Sequence, residues 1–197
     1  MSRVGKTIIS IKSGVNVEVK EEAGKSFVVV RGPKGELTQE IKGVKPEIAE
    51  GKIELKRVND ESKTKALHGL YNRLIQNMIK GVTEGFVTTL ILNGVGYKAA
   101  LAGQDLSLAI GYSHPCVVKA EPGITFKILT PAEVQNLNLG RDGISVVVQV
   151  MGASKERVGS MASKIRDLRP VEPYHLYGIR YSDERVIRKE SKSGKKK

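Results

Sequence analysis

Twice in this 197-residue chain, an alternating strand-like run precedes a Ser-Lys pair and a single helical face. Ile53 and Leu55 alternate with charged residues ahead of Ser62-Lys63, and a run starting at Ile144 stands in the same place ahead of Ser154-Lys155. A period of two is that of a half-buried strand, and a period near 3.6 is that of a helix with one buried face. The first face is Leu67, Leu70, Tyr71, Leu74, Ile75 and Met78, with capping oxygens at Asp60 to Ser62 and Gly81 where a glycine would end the helix. The second is Val158, Met161, Ala162, Ile165 and Leu168, capped by Ser154. A one-faced helix must bury that face on another element. A single duplication is the simplest account of the repeat.

The remaining apolar runs supply the sheets. Val15, Val17 and Val19 alternate; Glu21 to Lys25 turns the chain into Phe27–Val30; Gly32-Pro33-Lys34-Gly35 turns it again into Leu37 to Ile41. In the second half Val87, Leu90 and Leu92 form a run that Gly94-Val95-Gly96-Tyr97 breaks or bulges. Leu106 to Ile110, Val117-Val118, Ile124 to Leu129 and Ile144 to Val150 follow. The expected fold is α+β: two tandem similar domains, each a small, mostly antiparallel sheet packed by one main helix, with a basic C-terminal extension. The expected boundaries are 1–82, 83–181 and 182–197. Residues 1–13 read as a basic lead-in, and 130–141 as a loop extension with neither strand nor helix pattern.

Lys and Arg total 33 against 21 Asp and Glu, a net charge of +12, which points to a polyanionic partner. The positive charge gathers at the end of the chain. Arg166 and Arg169 close the second helix, Pro170 stops it, and Tyr174, Tyr177, Arg180 and Tyr181 follow. Arg185, Arg188, Lys189 and Lys192 continue into a tail too polar to fold alone. Guanidinium forks hold phosphates and planar rings stack on bases, so these ten residues are the candidate RNA-binding set. The tyrosines have a second, compatible use as anchors pinning the segment to the second domain, and the two arginines also suit the helix dipole. All expected core positions lie upstream of residue 170, so removing 170–197 is expected to leave both sheets folded.

Other chemistries find little support. His114-Pro115-Cys116 invites a nucleophile reading, but Pro115 breaks the strand regularity that would put both side chains on one face, and a turn histidine followed by a buried cysteine is the plainer reading. His68, His114 and His175 are scattered, and a lone cysteine supports neither a disulfide nor a thiolate metal site. Gly94-x-Gly96 leads into a strand rather than a helix, and Gly32-x-x-Gly35 lacks the Lys-Ser/Thr of a phosphate loop. No catalytic residue, metal site or cofactor is expected. The tail lacks an amphipathic apolar face, and no stretch approaches the roughly 20 apolar residues of a membrane span, so neither a membrane partner nor export is expected. An RNA-directed enzyme and a basic interaction module are the competing readings.

With those residues in view, the chain resembles the bacterial form of the universal large-subunit ribosomal protein L-six family. Ser2-Arg3-Val4-Gly5-Lys6 is similar to that family's opening, and Val30 to Leu37 to its first-domain hairpin. Ala66-Leu67-His68-Gly69 with Asn77-Met78 matches its first helix; Gly94 to Ala99 and Leu108 to Pro115 match its second domain. The resemblance implies a structural, non-enzymatic constituent of the large subunit, cytoplasmic and within the ribosome, near the factor-binding region and stalk base. It implies contacts with 23S-type rRNA and neighbouring stalk-base proteins, with no role for DNA. The family's closing signature, Pro-Glu-Pro-Tyr-Lys-Gly-Lys-Gly-Ile-Arg-Tyr in outline, meets Glu172-Pro173-Tyr174 and Gly178-Ile179-Arg180-Tyr181 here. His175-Leu176-Tyr177 replaces Lys-Gly-Lys, so two cations are lost and Tyr177 offers a ring where a lysine would pair.

Overall fold

The computed structural model describes residues 5, 7–22, 25–49, 51–136 and 144–190. Most of the opening motif, the turn tip at Ala23-Gly24, Glu50, residues 137–143 and the tail from Ser191, including Lys192, lie outside the described residues. The chain forms two compact units, 1–86 with 153–155 and 87–152 with 156–197. The architecture is α+β in tandem domains.

In the first unit, β1 (Ile9–Ser10) precedes β2 (Asn16–Glu22), β3 (Lys25–Gly32), β4 (Gly35–Ile41), β5 (Val44–Ala49), β6 (Lys52–Arg57) and helix α1 (Ser62–Thr83). The strands make two antiparallel sheets, β2-β3-β4 and β1-β6-β5. Val17 pairs with Val30 and Val30 with Leu37, so the alternating valines fall on one face. That face, with Ile41, Ile53 and Leu55, buries Tyr71, Ile75, Met78, Ile79 and Val82 of α1. Edge strand β5 was not evident from sequence because Pro46 interrupts it; a proline is tolerated there because an edge strand has N–H groups with no ladder partner.

Three local expectations are corrected. Gly5 and residues 7–10 are no mere lead-in: Ile9 is buried, and the buried Asn72 amide donates to the carbonyls of Thr7 (2.8 Å) and Gly5 (3.3 Å). The cap residue of α1 is Glu61, and its side chain makes no capping hydrogen bond. Gly81 is buried inside α1; the glycine that ends the helix is Gly85, at φ +80°, where its N–H reaches back to the carbonyl of Lys80. A helix anchored by its apolar face does not need the stop at the first available glycine.

The second unit holds β7 (Phe86–Asn93, from Val87 on), β8 (Lys98–Ala102), β9 (Asp105–Ala109), β10 (Cys116–Val118), β11 (Ile124–Ile128), helix α2 (Pro131–Asn136), β12 (Ile144–Gly152), helix α3 (Lys155–Leu168, from Glu156 on) and β13 (Gly178–Tyr181). Its sheets run β10-β9-β8 and β11-β12-β7-β13. Leu90, Ile91, Leu92, Leu106, Leu108, Val148 and Val150 are buried, as is the α3 face Val158, Met161, Ala162 and Ile165.

Two findings here overturn the sequence reading. Residues 131–136 form a helix that starts with Pro131 at its first position, and the Glu133 carboxylate reaches back to accept both the N–H and the hydroxyl of Thr130, one arm of a capping box. Glu133 takes the Thr130 N–H at 2.9 Å and pairs with Lys127 at 2.5 Å; the lysine first, then the threonine bonds, bring its carboxyl down to about 2. Val134 of this helix packs on the cluster of Ile91, Leu129 and Val147. The segment after Pro170, in turn, ends in a strand. Gly178–Tyr181 pairs antiparallel with β7, Ile179 opposite Leu92, and Ile179 is 0% exposed. Core positions therefore extend beyond residue 170, and removing 170–197 strips the edge strand from a four-stranded sheet instead of leaving it intact.

Replacing Ile179 by Ala is expected to destabilise the protein by about 2–5 kcal/mol, the usual cost of a large-to-small change at a fully buried site. Urea unfolding midpoints with an unchanged m-value measure it, and a loss under about 0.5 kcal/mol would contradict the burial.

Candidate nucleic-acid interface

Three backbone turns of the second unit come together around the end of α3. The helix stops at Pro170, and the carbonyl of Arg169 accepts the N–H of Ile179 at 2.8 Å, so β13 returns beside the helix end. Between them, residues 171–177 make a tight loop in which the Glu172 N–H donates to Tyr177 O (2.9 Å) and the Leu176 N–H donates to Glu172 O (3.0 Å). Leu176 sits at φ +63°, the only non-glycine residue at positive φ among those described. Its carbonyl is fixed by the Asn93 amide at 3.0 Å. Gly178, at φ +137°, lies so close to Pro170 O that a Cβ would come within 2.6 Å of it, which leaves glycine alone able to close the loop.

The Gly94–Tyr97 turn is a second wall. Ser145 donates its hydroxyl to Gly94 O at 2.7 Å, and the buried Tyr97 ring packs where a Cβ on Gly94 would stand. The third wall is Gly111-Tyr112, tied down by the Tyr112 hydroxyl donating to Leu168 O at 2.9 Å. Together these turns enclose an open cleft of about 550 Å³ lined by Tyr97, Tyr112, Arg169, Glu172 and Tyr177.

The candidate residues divide within this frame. Arg169 lies over the Tyr112 ring, 5.1 Å from its centroid, and a hydrogen bond with Tyr112, aided by the field of Tyr97, raises its pKa further above the ordinary arginine value. Tyr174 and Tyr177 are 44% and 41% exposed, too open for core anchors. Arg166 and Arg180 meet, but at a carboxylate: Arg166 grips Glu184 through Nε (3.0 Å) and Nη2 (2.6 Å), while Arg180 reaches the Glu184 carbonyl at 3.4 Å. The Tyr181 ring lies 5.7 Å from the Arg166 guanidinium, and its N–H donates to the same carboxylate at 3.2 Å. Arg185, Arg188 and Lys189 are exposed. The arm is held back on the loop, with the Lys189 N–H on Pro173 O at 3.0 Å and Arg188 Nε on Tyr174 O at 3.2 Å. Lys192 lies outside the described residues.

Sequence reasoning missed Glu184, Tyr97 and Tyr112. Glu184 was hidden by its basic surroundings, although an acid three residues past Tyr181 is the natural partner for a nearby arginine. The pair His114–Cys116 does not form a site: the His114 ring stacks on Tyr112 at 6.4 Å, and Cys116, expected to be buried, is half-buried at the start of β10. Among the described residues no cluster of His, Cys, Asp or Glu could hold a metal ion, and no helix is long and apolar enough to cross a membrane.

Comparison with known proteins supplies what geometry alone does not. The family model described as Ribosomal protein L6 matches residues 11–85 and 93–182, one segment in each tandem domain. The chain belongs to the ribosomal protein L6 family. Relatives carrying the name large ribosomal subunit protein uL6 include those of Fusobacterium nucleatum subsp. nucleatum, 42% identical over 98% of this chain and 99% of its own, and Staphylococcus carnosus, 44% identical over 99% and 100%. That of Clostridium acetobutylicum is 46% identical over the same shares. These relatives are named as proteins of the large ribosomal subunit, and this chain is not an enzyme.

The Arg166–Glu184 pair makes the L6-family C-terminal segment sensitive to acid. The Arg166 hydrogen bond, with the Tyr181 N–H, holds the Glu184 carboxyl below its ordinary 4.5. A depressed folded value contributes stability above the unfolded value, and that contribution is lost as pH falls through the folded one. With both side chains partly exposed, Glu184→Gln is expected to cost about 1 kcal/mol at neutral pH. The gap between variant and wild type should close as pH drops below 4.5, and a gap that persists or widens in acid would show that the carboxylate charge is not the cause.

Proposed function

We propose that this chain is a structural constituent of the large ribosomal subunit that binds 23S-type rRNA through its C-terminal unit, in the cytoplasm. The observation that carries the proposal is the L6-family match along both domains, joined to a net charge of +12 over the chain and an arginine- and tyrosine-lined cleft. The finer placement, near the factor-binding region and stalk base beside neighbouring stalk-base proteins, follows the resemblance.

The residues divide the work. Arg185, Arg188, Lys189 and Lys192 neutralise clustered phosphates, releasing counterions as they do. Arg169, Tyr174 and Tyr177 present stacking surfaces and a fork toward unpaired RNA. Arg166, Arg180 and Tyr181 act mainly through Glu184, aiming the arm from a fixed origin on β13. Recognition of this kind reads the shape of folded RNA more than base edges, as suits the deep, narrow major groove of RNA helices.

If about six phosphates are neutralised, log K for an rRNA transcript should fall against log salt with a slope of roughly −5. A slope near zero would sink the mechanism. Tagged protein should also co-migrate with large subunits through a high-salt sucrose gradient of cell lysate; protein left at the top would refute a built-in subunit component. His114→Ala and Cys116→Ala should leave subunit incorporation unchanged, and complete loss with unaltered stability would revive a chemical role for that pair.

A further inference from the structure

We infer that the cleft bounded by Tyr97, Tyr112, Arg169, Glu172 and Tyr177 receives a single unstacked nucleobase of RNA, with the His175–Tyr177 ring pair as an outer stacking platform. The inference rests on the rRNA-binding reading and names what this one site takes.

Its surfaces are those of a base receptor. His175 and Tyr177 are stacked, ring centroids 5.6 Å apart at an interplanar angle of 17°, and both are exposed. Tyr112 and His114 form a second stacked pair, at 6.4 Å and 20°, and Tyr112 carries the Arg169 guanidinium on its face. Tyr97, Tyr112 and Tyr177 all line the cleft with Arg169, so its walls combine rings and a planar cation, the groups on which base faces stack. A volume of about 550 Å³ is within the range of small-ligand pockets. Inside it, the Arg169 donors and the Glu172 acceptor can meet the mixed donor–acceptor edge of a base.

The charges argue against a phosphate as occupant. Glu172 lines the cleft with Arg169, its carboxylate 3.4 Å from His175 Nδ1, so the one arginine there is offset by an acid. Positions 175 and 177 carry rings, His175 and Tyr177, and no cation of their own that would draw a phosphate to the loop. A neutral, flat, hydrogen-bonding ligand suits one cation offset by one acid between rings better than a phosphate does. The platform is also set in advance: Leu176 holds φ +63° between two rings, fixed by the Glu172 hydrogen bond and by Asn93. A residue is kept in so sparsely populated a conformation only where its surroundings over-determine it.

The test uses the full chain and an in vitro transcript of 23S-type rRNA, comparing wild type with Tyr177→Ala and Tyr177→Phe. Tyr177 is 41% exposed, so both variants should melt with wild type, which a thermal scan checks first. Loss of one base stack weakens binding by roughly 5- to 150-fold. Tyr177→Ala is expected to show that loss with an unchanged salt slope, because no ion pair is removed, and Tyr177→Phe to bind as wild type does. Equal affinity of Tyr177→Ala and wild type overturns the platform while leaving the rRNA reading standing. Equal weakening by both variants overturns it too, since the hydroxyl and not the ring would then matter. A wild-type chain that fails to bind the transcript overturns both readings together.

Discussion

The pairing of β13 with β7 is the constraint on which the functional end of the molecule depends. The hydrophobic driving force comes from Ile179, wholly buried opposite Leu92, and the direction from the hydrogen-bond ladder. Because side chains alternate along a strand, burying Ile179 turns Arg180 to the other face and sets Tyr181 beneath Arg166. The loop upstream must then span from Pro170 back to Gly178 within a fixed gap, which is why its backbone is crowded enough to exclude a Cβ at Gly178. One buried isoleucine thus places a loop, a cleft wall and the root of a charged arm.

Arg166 shows how local chemistry changes a residue's task. By type and position it suits a phosphate contact, yet its fork is already filled by Glu184. A bidentate pair of this kind contributes direction more than energy, since much of the Coulomb attraction is screened where side chains remain partly in water. The exposed cations farther along the arm have no such internal claim in the described contacts, apart from Arg188, which donates to the Tyr174 carbonyl. A carbonyl leaves the net charge of the guanidinium uncompensated.

Much of the fold was legible because it is written in period. The valines of β2 and β3, the single apolar faces of α1 and α3, and the repeat of strand then helix all follow from counting by two and by 3.6. What stayed hidden lacked period or broke it. Helix α2 is six residues long, too short for a face to show, although Thr130-Pro131-x-Glu133 carried its start signal. Strand β13 has four residues with arginine and tyrosine among them, so its one buried side chain reads as an accident until Leu92 is seen opposite. The candidate cleft was legible in part by residue type and opaque by geometry. Arg169 and Tyr177 were evident as candidates, whereas Tyr97 and Tyr112 lie roughly 60 to 80 positions away in sequence and join them only through folding.

Leu176 carries a kinetic consequence. A glycine at that position would let the loop sample many backbone states, and a ligand would then have to wait for, or induce, the right one. A leucine held at φ +63° has a narrower choice, and the bonds from Glu172 and Asn93 select the state seen here. Ordering entropy is thereby spent during folding instead of during encounter. Under the proposed RNA-binding function such a loop would meet RNA as a rigid body, with differences in affinity carried by the rate of leaving and the rate of arrival set by the charged arm.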